Sequence, residues 1–388
     1  MRMKVRALVN KNKEMVGAAL CEKGLEDVSA QEIKELIGVN SVVHGDVLLF
    51  PLKHVDELAR LSYMSQSLRR VMMIACEGNF GNSFEHIPEK MKNVDFGLWL
   101  DGNKSFKVVC ERDGTHDFTS SSAAEAMGEL IIKLLIEKNG SAPKVDFDAP
   151  DVQFFLRVVD SYFAFGVDYG GFDLSKREYR VFTHPAALKG TVAYGIVRLA
   201  KFDPKKNILC YFSKSGVVEI EAALFASEKS VRYYQKNKFA FLKLAEFAGK
   251  DPDVYFGDFD KQIKEDKLRI VGAHADLRHV TAGKKNAKIA GVDKLVDFPR
   301  MDIDWLDVKF DEGAFDIVVA YVVSGEAKQL PDFLEQCPRL LTGDGILVVI
   351  SLGKSCADIA KKKGFELLDE RILHRGENVL LIERFRRK

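Results

Sequence analysis

The sequence of 388 residues lacks the spacings that metal sites and disulfide frameworks need. Its six cysteines are scattered without a C-x-x-C pair, and its eight histidines include no H-E-x-x-H. This distribution argues against a zinc ribbon and against a disulfide-stapled fold. We therefore expect no metal, and we expect most thiols to be buried and to pack as small hydrophobic groups.

Long apolar runs and an excess of one charge are also missing. No apolar run approaches the ~18 residues needed to cross a bilayer, and the opening MRMKVRALVN is too short and too charged for a signal peptide. We therefore expect a soluble, cytoplasmic protein with no membrane partner. With 58 Lys+Arg against 57 Asp+Glu, the net charge is +1, which argues against a globally basic nucleic-acid coat but allows a local basic groove.

The first part of the chain alternates strand-like and helix-like stretches in a β-α-β-β-α-β order, which suits a ferredoxin-like unit. A second unit contains one strong amphipathic helix, Ser120–Ile136, among three strands. The stretches of the first unit are Val5–Val9, Leu25–Ile37, Val42–Phe50, Val55–Leu61 and Leu68–Cys76.

The second half alternates strands and helices as a doubly wound parallel sheet requires. Helices are predicted at Pro185–Leu199 and Phe239–Phe247, among others. Phe365–Leu373 and Val379–Phe385 predict an antiparallel pair that closes the sheet. A ligand crevice is expected at the carboxyl ends of the parallel strands.

Several motifs, taken in order, resemble those of the THUMP-domain RNA methyltransferases that form N2-methylguanosine in tRNA. They are G-L-E-D at residues 24–27, L-S-K-R-E-Y-R at 174–180, H-P-A-A-L-K at 184–189, N-K-F-A-F at 237–241 and N-A-x-x-A-G at 286–291. The resemblance implies an α+β N-terminal half and an α/β C-terminal half. It implies a ferredoxin-like domain over 1–80, a THUMP domain over 81–170, a linker over 171–190, and a Rossmann-like class I methyltransferase domain over 191–388 that uses S-adenosylmethionine.

The cofactor loop of that family is close to D-P-x-C-G-S-G-T-x-x-I-E-A-A. Here the acidic residue is replaced by Cys210 and the first loop glycine by Lys214, whereas Ser215 and Gly216 are retained. A lysine at a position normally kept bare is expected to obstruct the cofactor or to replace part of its charge complementarity. An alternative is that Lys214 attracts an anion at the following helix.

Two acidic residues match further cofactor positions of the family. Asp276 lies where the family's carboxylate accepts the ribose hydroxyls, although it can equally cap the helix that begins near Arg278. Asp302 lies where the family has the residue near the adenine amino group, with Asp304 or a plain loop acid as alternatives.

The catalytic motif of the family, N-P-P-Y/F-G, aligns with Tyr321-Val322-Val323-Ser324-Gly325. The family's asparagine accepts hydrogen bonds from the amine of the target base and its aromatic residue stacks on the flipped base. Tyr321 and Ser324 are therefore degenerate catalytic positions. They predict a tRNA-binding family member with lost or reduced catalysis. The alternatives are an active enzyme with rearranged motifs and a non-catalytic RNA-binding scaffold that pairs with a protein partner.

The RNA surface implied by the resemblance lies on the THUMP unit and the linker. Each candidate could instead be an ordinary solvated surface charge, and binding to RNA predicts an affinity that falls steeply with salt. The candidates are Lys107, Arg112, His116, Lys176, Arg177, Arg180 and Lys189.

Overall fold

The computed structural model describes residues 15–388, except 82, 102, 103, 265–268, 324, 376 and 377. These residues form two compact units that exchange segments along the chain. The N-terminal unit contains the described residues up to Cys21, Ser29–Leu174 and Arg232–Asp258. The C-terminal unit contains Glu22–Val28, Ser175–Val231 and Phe259–Lys388.

The N-terminal unit is built on one sheet of eight strands in the order β2-β3-β1-β4-β8-β7-β5-β6. Within it, β1 lies antiparallel between β3 and β4, as the ferredoxin-like prediction requires. Antiparallel pairing of β4 with β8 joins the ferredoxin-like strands to the rest, so the predicted boundary after residue 80 falls inside a continuous sheet. The elements are β1 (Met15–Leu20), α1 (Glu26–Ile37), β2 (Val42–His44), β3 (Val47–Leu52), α2 (Asp56–Met64), β4 (Arg70–Asn79), α3 (His86–Met91), β5 (Ser105–Asp113), α4 (Ser120–Asn139), β6 (Lys144–Val145), β7 (Val152–Val159) and β8 (Tyr162–Asp168).

Two elements of this unit show how local sequence sets the fold. The predicted strand Val5–Val9 lies outside the described residues, and the first described strand, β1, was not predicted. Its Gly17 faces Phe50 so closely that an added Cβ would lie 2.4 Å from the ring. Helix α4 begins at Ser120 as predicted and ends at Asn139 rather than Ile136. Its cap is Thr119, whose hydroxyl accepts a hydrogen bond from the backbone N–H of Ser122.

The C-terminal unit is a seven-stranded sheet in the order β11-β10-β9-β12-β13-β15-β14. Its strands are parallel except β15, which runs antiparallel between β13 and β14. This arrangement confirms the predicted class I methyltransferase fold and its closing antiparallel pair. The elements are α5 (Gly190–Leu199), β9 (Ile208–Tyr211), α6 (Val217–Ala226), β10 (Ile270–Ala273), α8 (Leu277–Ala290), β11 (Val296–Asp297), α9 (Leu306–Lys309), β12 (Phe315–Val322), α10 (Leu330–Leu340), β13 (Leu341–Leu352), α11 (Ala357–Lys362), β14 (Phe365–Arg375) and β15 (Asn378–Arg387). Helix α7 (Pro252–Asp260) lies between α6 and β10 in the chain, and most of it belongs to the N-terminal unit.

Two predicted helices are wrong in extent or type. The helix predicted at Phe239–Phe247 is a short 3-10 turn, Ala240–Lys243, and its chain segment belongs to the N-terminal unit. Phe239 and Phe241 are both buried, and a spacing of two residues cannot place both on one face of an α-helix. Helix α5 begins at Gly190 rather than Pro185, because Lys189 has an extended backbone.

No helix in the described part of the chain is both long enough and apolar enough to cross a membrane. Among these same residues, no group of three or more His, Cys, Asp or Glu side chains is arranged to hold a metal ion.

Candidate active site

The strand order of the C-terminal unit reverses at β9, which lies between β10 and β12. Cys210, near the end of β9, is paired with Gly272 of β10 and with Val319 of β12. In an open parallel sheet, ligands bind outside the carboxyl ends of the strands at such a reversal. We call the space above the ends of β9 and β12 the crevice.

The loop that follows β9 is fixed by two residues with left-handed backbone, Phe212 (φ 61°) and Gly216 (φ 77°). A Cβ added at Gly216 would lie 2.7 Å from Cζ of the buried Phe298 ring. Gly216 is therefore needed both for its backbone conformation and for close packing. Packing alone therefore explains why residue 216 is a glycine, and no contact between Gly216 and a ligand is needed.

Lys214 crosses the crevice instead of leaving it open. Its ammonium group forms an ion pair with Glu326, which follows β12, and the Lys214 side chain is 4% exposed. The second carboxylate oxygen of Glu326 accepts a hydrogen bond from the backbone N–H of Val323 (3.3 Å). The pair thus connects the loop that follows β9 to the segment that follows β12.

Tyr321 makes a second contact within the crevice. Its hydroxyl donates a hydrogen bond to the backbone carbonyl of Ala186 (2.5 Å), and the residue is buried. Ala186 belongs to the H-P-A-A-L-K motif, whose next residues, Ala187 and Leu188, line the same cavity as Tyr321. Tyr321 therefore holds this motif against β12.

What remains between these side chains is a cavity of about 20 Å³. Pockets for small-molecule ligands are commonly about 300–1,000 Å³, whereas one water molecule needs about 10–15 Å³ by this measure. The crevice in this conformation has room for about one water molecule. Its polar lining includes Cys210, Ser213, Lys214, Ser215, Glu219 and Tyr321.

Glu219, in the first turn of α6, places a carboxyl group in this cavity. Burial raises its pKa to about 7. Burial also raises the pKa of the Cys210 thiol well above its usual range. The pocket thus contains a buried thiol of β9 together with a carboxyl group of α6.

Two histidines lie beside the backbone of Lys214. His279 Nδ1 donates to the Lys214 carbonyl oxygen (2.8 Å), and its ring centroid is 4.4 Å from that of His274. Burial, the neighbouring imidazole and the Lys214 charge lower the pKa of His274 to about 4. Both histidines have lowered pKa values, with burial as the largest cause, so Lys214 is the cation nearest to Glu326 at neutral pH.

Sequence reasoning missed Glu219, Glu326 and the histidine pair. For Glu219 a signal existed, since helix α6 is apolar except for Glu219 and Glu221. For Glu326 and the histidines no local pattern was available.

The predicted cofactor residues do not converge on the cavity. Ser215 lines it, and the Ser215 carbonyl accepts a hydrogen bond from the Asn286 side chain (2.9 Å). Asp276 caps α8, and both of its oxygens bind the guanidinium of Arg278, which lowers the pKa of Asp276. Asp302 is exposed, and its charge adds to burial in raising the pKa of Tyr211. Ser324 lies outside the described residues.

The predicted RNA residues on the N-terminal unit are at its surface. Arg112 is exposed. Lys107 donates to the backbone carbonyl of Phe147 (3.2 Å), and His116 Nε2 donates to that of Asp160 (2.7 Å). Their place at the surface is compatible with RNA binding and equally with ordinary solvated charge.

On the C-terminal unit, the structure contradicts the prediction that Arg177 contacts RNA. Its side chain is fully buried and forms a bidentate pair with Glu221, which also accepts from the Tyr179 hydroxyl. It is therefore a structural residue and presents no charge to RNA. Lys176 is exposed and Arg180 is half-buried, whereas Lys189 is exposed and pairs with Glu22 (3.2 Å).

Comparison with known proteins is consistent with this architecture. Residues 81–168 match the THUMP domain model, and residues 177–357 match that of the RMKL-like methyltransferase domain. The chain is thus a THUMP-domain protein with a class I methyltransferase fold.

Sequence similarity to individual proteins covers most of the chain. It is 28% identical over 361 residues to tRNA (guanine(6)-N2)-methyltransferase of Methanocaldococcus jannaschii, covering 89% of this chain and 93% of the relative. It is 27% identical over 366 residues to the enzyme of the same name from Archaeoglobus fulgidus, covering 91% and 87%. The solved structure of SMU.472 complexed with SAH superposes with a TM-score of 0.79 at 19% identity, covering 97% of this chain and 99% of that one.

Proposed function

We propose that this protein binds tRNA in the cytoplasm through its THUMP-containing half and that its methyl transfer activity is lost or strongly reduced. The observation that carries the proposal is the closure of the crevice by Lys214 and Tyr321. These are two of the positions at which the sequence departs from the family motifs. Each replacement makes a specific contact, Lys214 to Glu326 and Tyr321 to Ala186, that fills the crevice.

The residues present do not fit S-adenosylmethionine. This cofactor carries a sulfonium and an ammonium group, so its methionine part needs an acceptor at the end of β9. Cys210 there is a buried thiol whose pKa is raised, and it supplies no charge. The Lys214 ammonium would repel the ammonium and sulfonium groups of the cofactor, because like charges repel at short range.

Entry of the cofactor would also have to break the ion pair. Separating a buried pair leaves an uncompensated charge, at a cost of about 3–5 kcal/mol when one partner is lost. A cost of this size lowers an affinity by at least about a hundredfold, since 1.4 kcal/mol is a factor of ten. We therefore expect cofactor binding to be weak or absent.

The replaced catalytic motif supports the same conclusion. Val322 and Val323 offer no side-chain acceptor for a base amine, and the Tyr321 hydroxyl is engaged with Ala186. A flipped base would find neither the acceptor nor the exposed aromatic surface that recognition requires.

The direct test is titration calorimetry with S-adenosylmethionine, together with transfer of labelled methyl groups to tRNA transcripts. We expect no binding below about 100 μM, no turnover, and tRNA binding that weakens steeply as salt is raised. Low-micromolar cofactor affinity with methylation of tRNA would contradict the proposal.

Two double variants test whether the Lys214–Glu326 ion pair itself keeps the cofactor out, as opposed to any loss of an ion pair. Lys214→Gly with Glu326→Gln removes both charges together and restores the family's glycine, so cofactor affinity is expected to rise. Lys363→Gly with Glu335→Gln removes an exposed ion pair (2.7 Å) and is expected to leave affinity unchanged. If the two double variants bind S-adenosylmethionine with the same affinity, the Lys214–Glu326 pair does not exclude the cofactor from the crevice.

An active enzyme with rearranged motifs is the second candidate. It is favoured by Glu219, which supplies a carboxyl group to the cavity beside Cys210. Under this alternative the unmodified protein binds S-adenosylmethionine, and Glu219→Gln abolishes that binding. Under the first proposal, Glu219→Gln changes stability and leaves binding undetectable.

A further inference from the structure

Helix α8 of the C-terminal unit carries three exposed lysines on one face, Lys284, Lys285 and Lys288. Lys288 follows Lys284 by four residues and Lys285 by three, and residues at these spacings are neighbours on the surface of a helix. The sequence of α8 contains no acidic residue. We call these three lysines the basic face of α8.

No acidic partner in the described part of the chain neutralises the basic face. None of its three ammonium groups forms an ion pair with another described residue or donates a hydrogen bond to one. The nearest acidic residues along the chain lie beyond the helix ends, where Asp276 binds Arg278 and Asp293 is exposed. Lysines four residues apart on a helix repel each other and destabilise it. A bound polyanion would remove this repulsion.

The aromatic ring of Phe182 holds one of the three lysines in place. The Lys285 ammonium lies over this ring, 4.6 Å from its centroid. The backbone of Phe182 is fixed in turn by Asn286, whose side-chain amide donates to the Phe182 carbonyl (2.9 Å) and accepts from the Phe182 N–H (3.0 Å). Lys285 is therefore positioned before a ligand binds, which reduces the conformational entropy that binding costs.

Asn286 also anchors the helix beneath the basic face. It is fully buried, and its amide donates a second hydrogen bond to the carbonyl of Ser215 (2.9 Å), in the loop that follows β9. The lysines are thus presented on a fixed helix. A row of cations on a rigid helix matches a partner whose negative charges also lie in a row, and a nucleic-acid backbone is such a partner.

We propose that the basic face of α8 binds the phosphate backbone of RNA, with each of its three lysines at a phosphate and with Phe182 positioning Lys285. The inference rests on the proposed binding of tRNA and adds a surface on the C-terminal unit to the one expected on the THUMP-containing half. The net charge of the whole chain is +1, so this face is a local excess of positive charge. Because the contacts are to phosphates, they carry no base specificity.

The test measures the fluorescence anisotropy of a labelled tRNA transcript titrated with the full chain. Each phosphate contact contributes about 0.7–0.9 to the slope of log affinity against log salt. Replacing all three lysines (Lys284→Gln, Lys285→Gln and Lys288→Gln) is therefore expected to reduce that slope by about 2–3. With affinities that converge near about 1 M salt, binding at about 0.1 M salt is expected to weaken about 100- to 500-fold. Glutamine is a good helix former, so the fold should be retained, and circular dichroism checks this.

A control variant removes the same charge elsewhere on the C-terminal unit. Lys354→Gln, Lys361→Gln and Lys362→Gln together replace three exposed lysines in α11 and the loop before it. This variant is expected to keep the affinity and the salt slope of the unmodified protein. Equal losses in the two triple variants would show that only net charge matters and would contradict the proposal.

Single substitutions test the role given to Phe182. Lys285→Gln alone is expected to weaken binding about 5- to 8-fold at about 0.1 M salt, because one phosphate contact is lost. Phe182→Leu should weaken binding by no more than this, whereas Phe182→Tyr keeps the ring and should bind like the unmodified protein. In a protein that already carries Lys285→Gln, Phe182→Leu should have no further effect. Further weakening in that background would show that Phe182 does not act through Lys285.

Two further results would overturn the inference in distinguishable ways. If the triple α8 variant binds tRNA with the affinity and slope of the unmodified protein, α8 does not contact RNA, and the proposed tRNA binding stands. Loss of binding to phosphatidylserine vesicles by that variant, with tRNA binding unchanged, would identify an anionic membrane surface as the partner instead. An unmodified protein that does not bind tRNA would contradict both the proposed function and this inference.

Discussion

Replacing Glu219 by glutamine tests whether a buried carboxyl group in the crevice destabilises the fold at neutral pH. The pKa of Glu219 is raised from its ordinary value of 4.5 to about 7, mainly by burial. One pKa unit corresponds to about 1.4 kcal/mol, so ionising this group in the folded protein costs about 3 kcal/mol. The charged and titratable groups around it are the Cys210 thiol of β9, Lys214 of the loop and Tyr321 of β12, which line the same cavity.

The sign of the effect follows from proton binding. Below about pH 4.5 the carboxyl group is protonated in both states and contributes nothing to the pH dependence. Between about pH 4.5 and 7 the unfolded chain releases the proton while the folded protein keeps it, so stability falls as pH rises. Above about pH 7 the full cost is present. The advantage of Glu219→Gln over the unmodified protein should therefore grow with pH and reach about 3 kcal/mol near pH 8.

Urea unfolding at a series of pH values between about 5 and 8 provides the measurement. Because the chain has two units, the comparison uses the transition that the substitution moves. Glu335→Gln serves as the control, since its exposed pair with Lys363 is expected to contribute about 1 kcal/mol or less. If the free energies of unfolding of Glu219→Gln and the unmodified protein differ by the same amount across this pH range, burial does not raise the pKa of Glu219.

Two further predictions concern residues that the family motifs retain. Arg177→Ala should destabilise the C-terminal unit by about 3–5 kcal/mol in chemical unfolding, because it leaves Glu221 buried without its cation; a loss below about 1 kcal/mol would show that the pair is solvated. Gly216→Ala should destabilise by at least about 1–3 kcal/mol through the clash with Phe298, added to left-handed strain. Gly249→Ala is the control for backbone strain, because Gly249 has the same φ of 77° but no atom within 4 Å of an added Cβ. If both substitutions lower the free energy of unfolding equally, the clash with Phe298 does not contribute.

The retained and the replaced motif residues have different physical roles in this protein. Arg177, Glu221 and Asn286 hold backbone segments together inside the C-terminal unit. Cys210, Lys214 and Tyr321 line the crevice. The residues that match the family motifs thus stabilise the fold, whereas those that depart from the motifs line the crevice.

The sequence by itself determined the order of elements, because hydrophobic periodicity and caps are local properties. Helix α4 and the closing strands β14 and β15 were predicted on this basis. Motif spacing along the chain also singled out positions 210, 214 and 321 as the ones to inspect in the structure. The segment at residues 239–247 was predicted wrongly because its phenylalanines are buried by tertiary packing and follow no helical period.

Only the tertiary structure decided what the changed residues do. The partner of Lys214 is Glu326, and the acceptor for Tyr321 is the carbonyl of Ala186, which precedes it by 135 residues. Likewise, the ion pair that buries Arg177 joins it to Glu221, 44 residues further along the chain. Ion pairing and burial depend on distances across the fold, which no local pattern encodes, so the closure of the crevice became visible only in three dimensions.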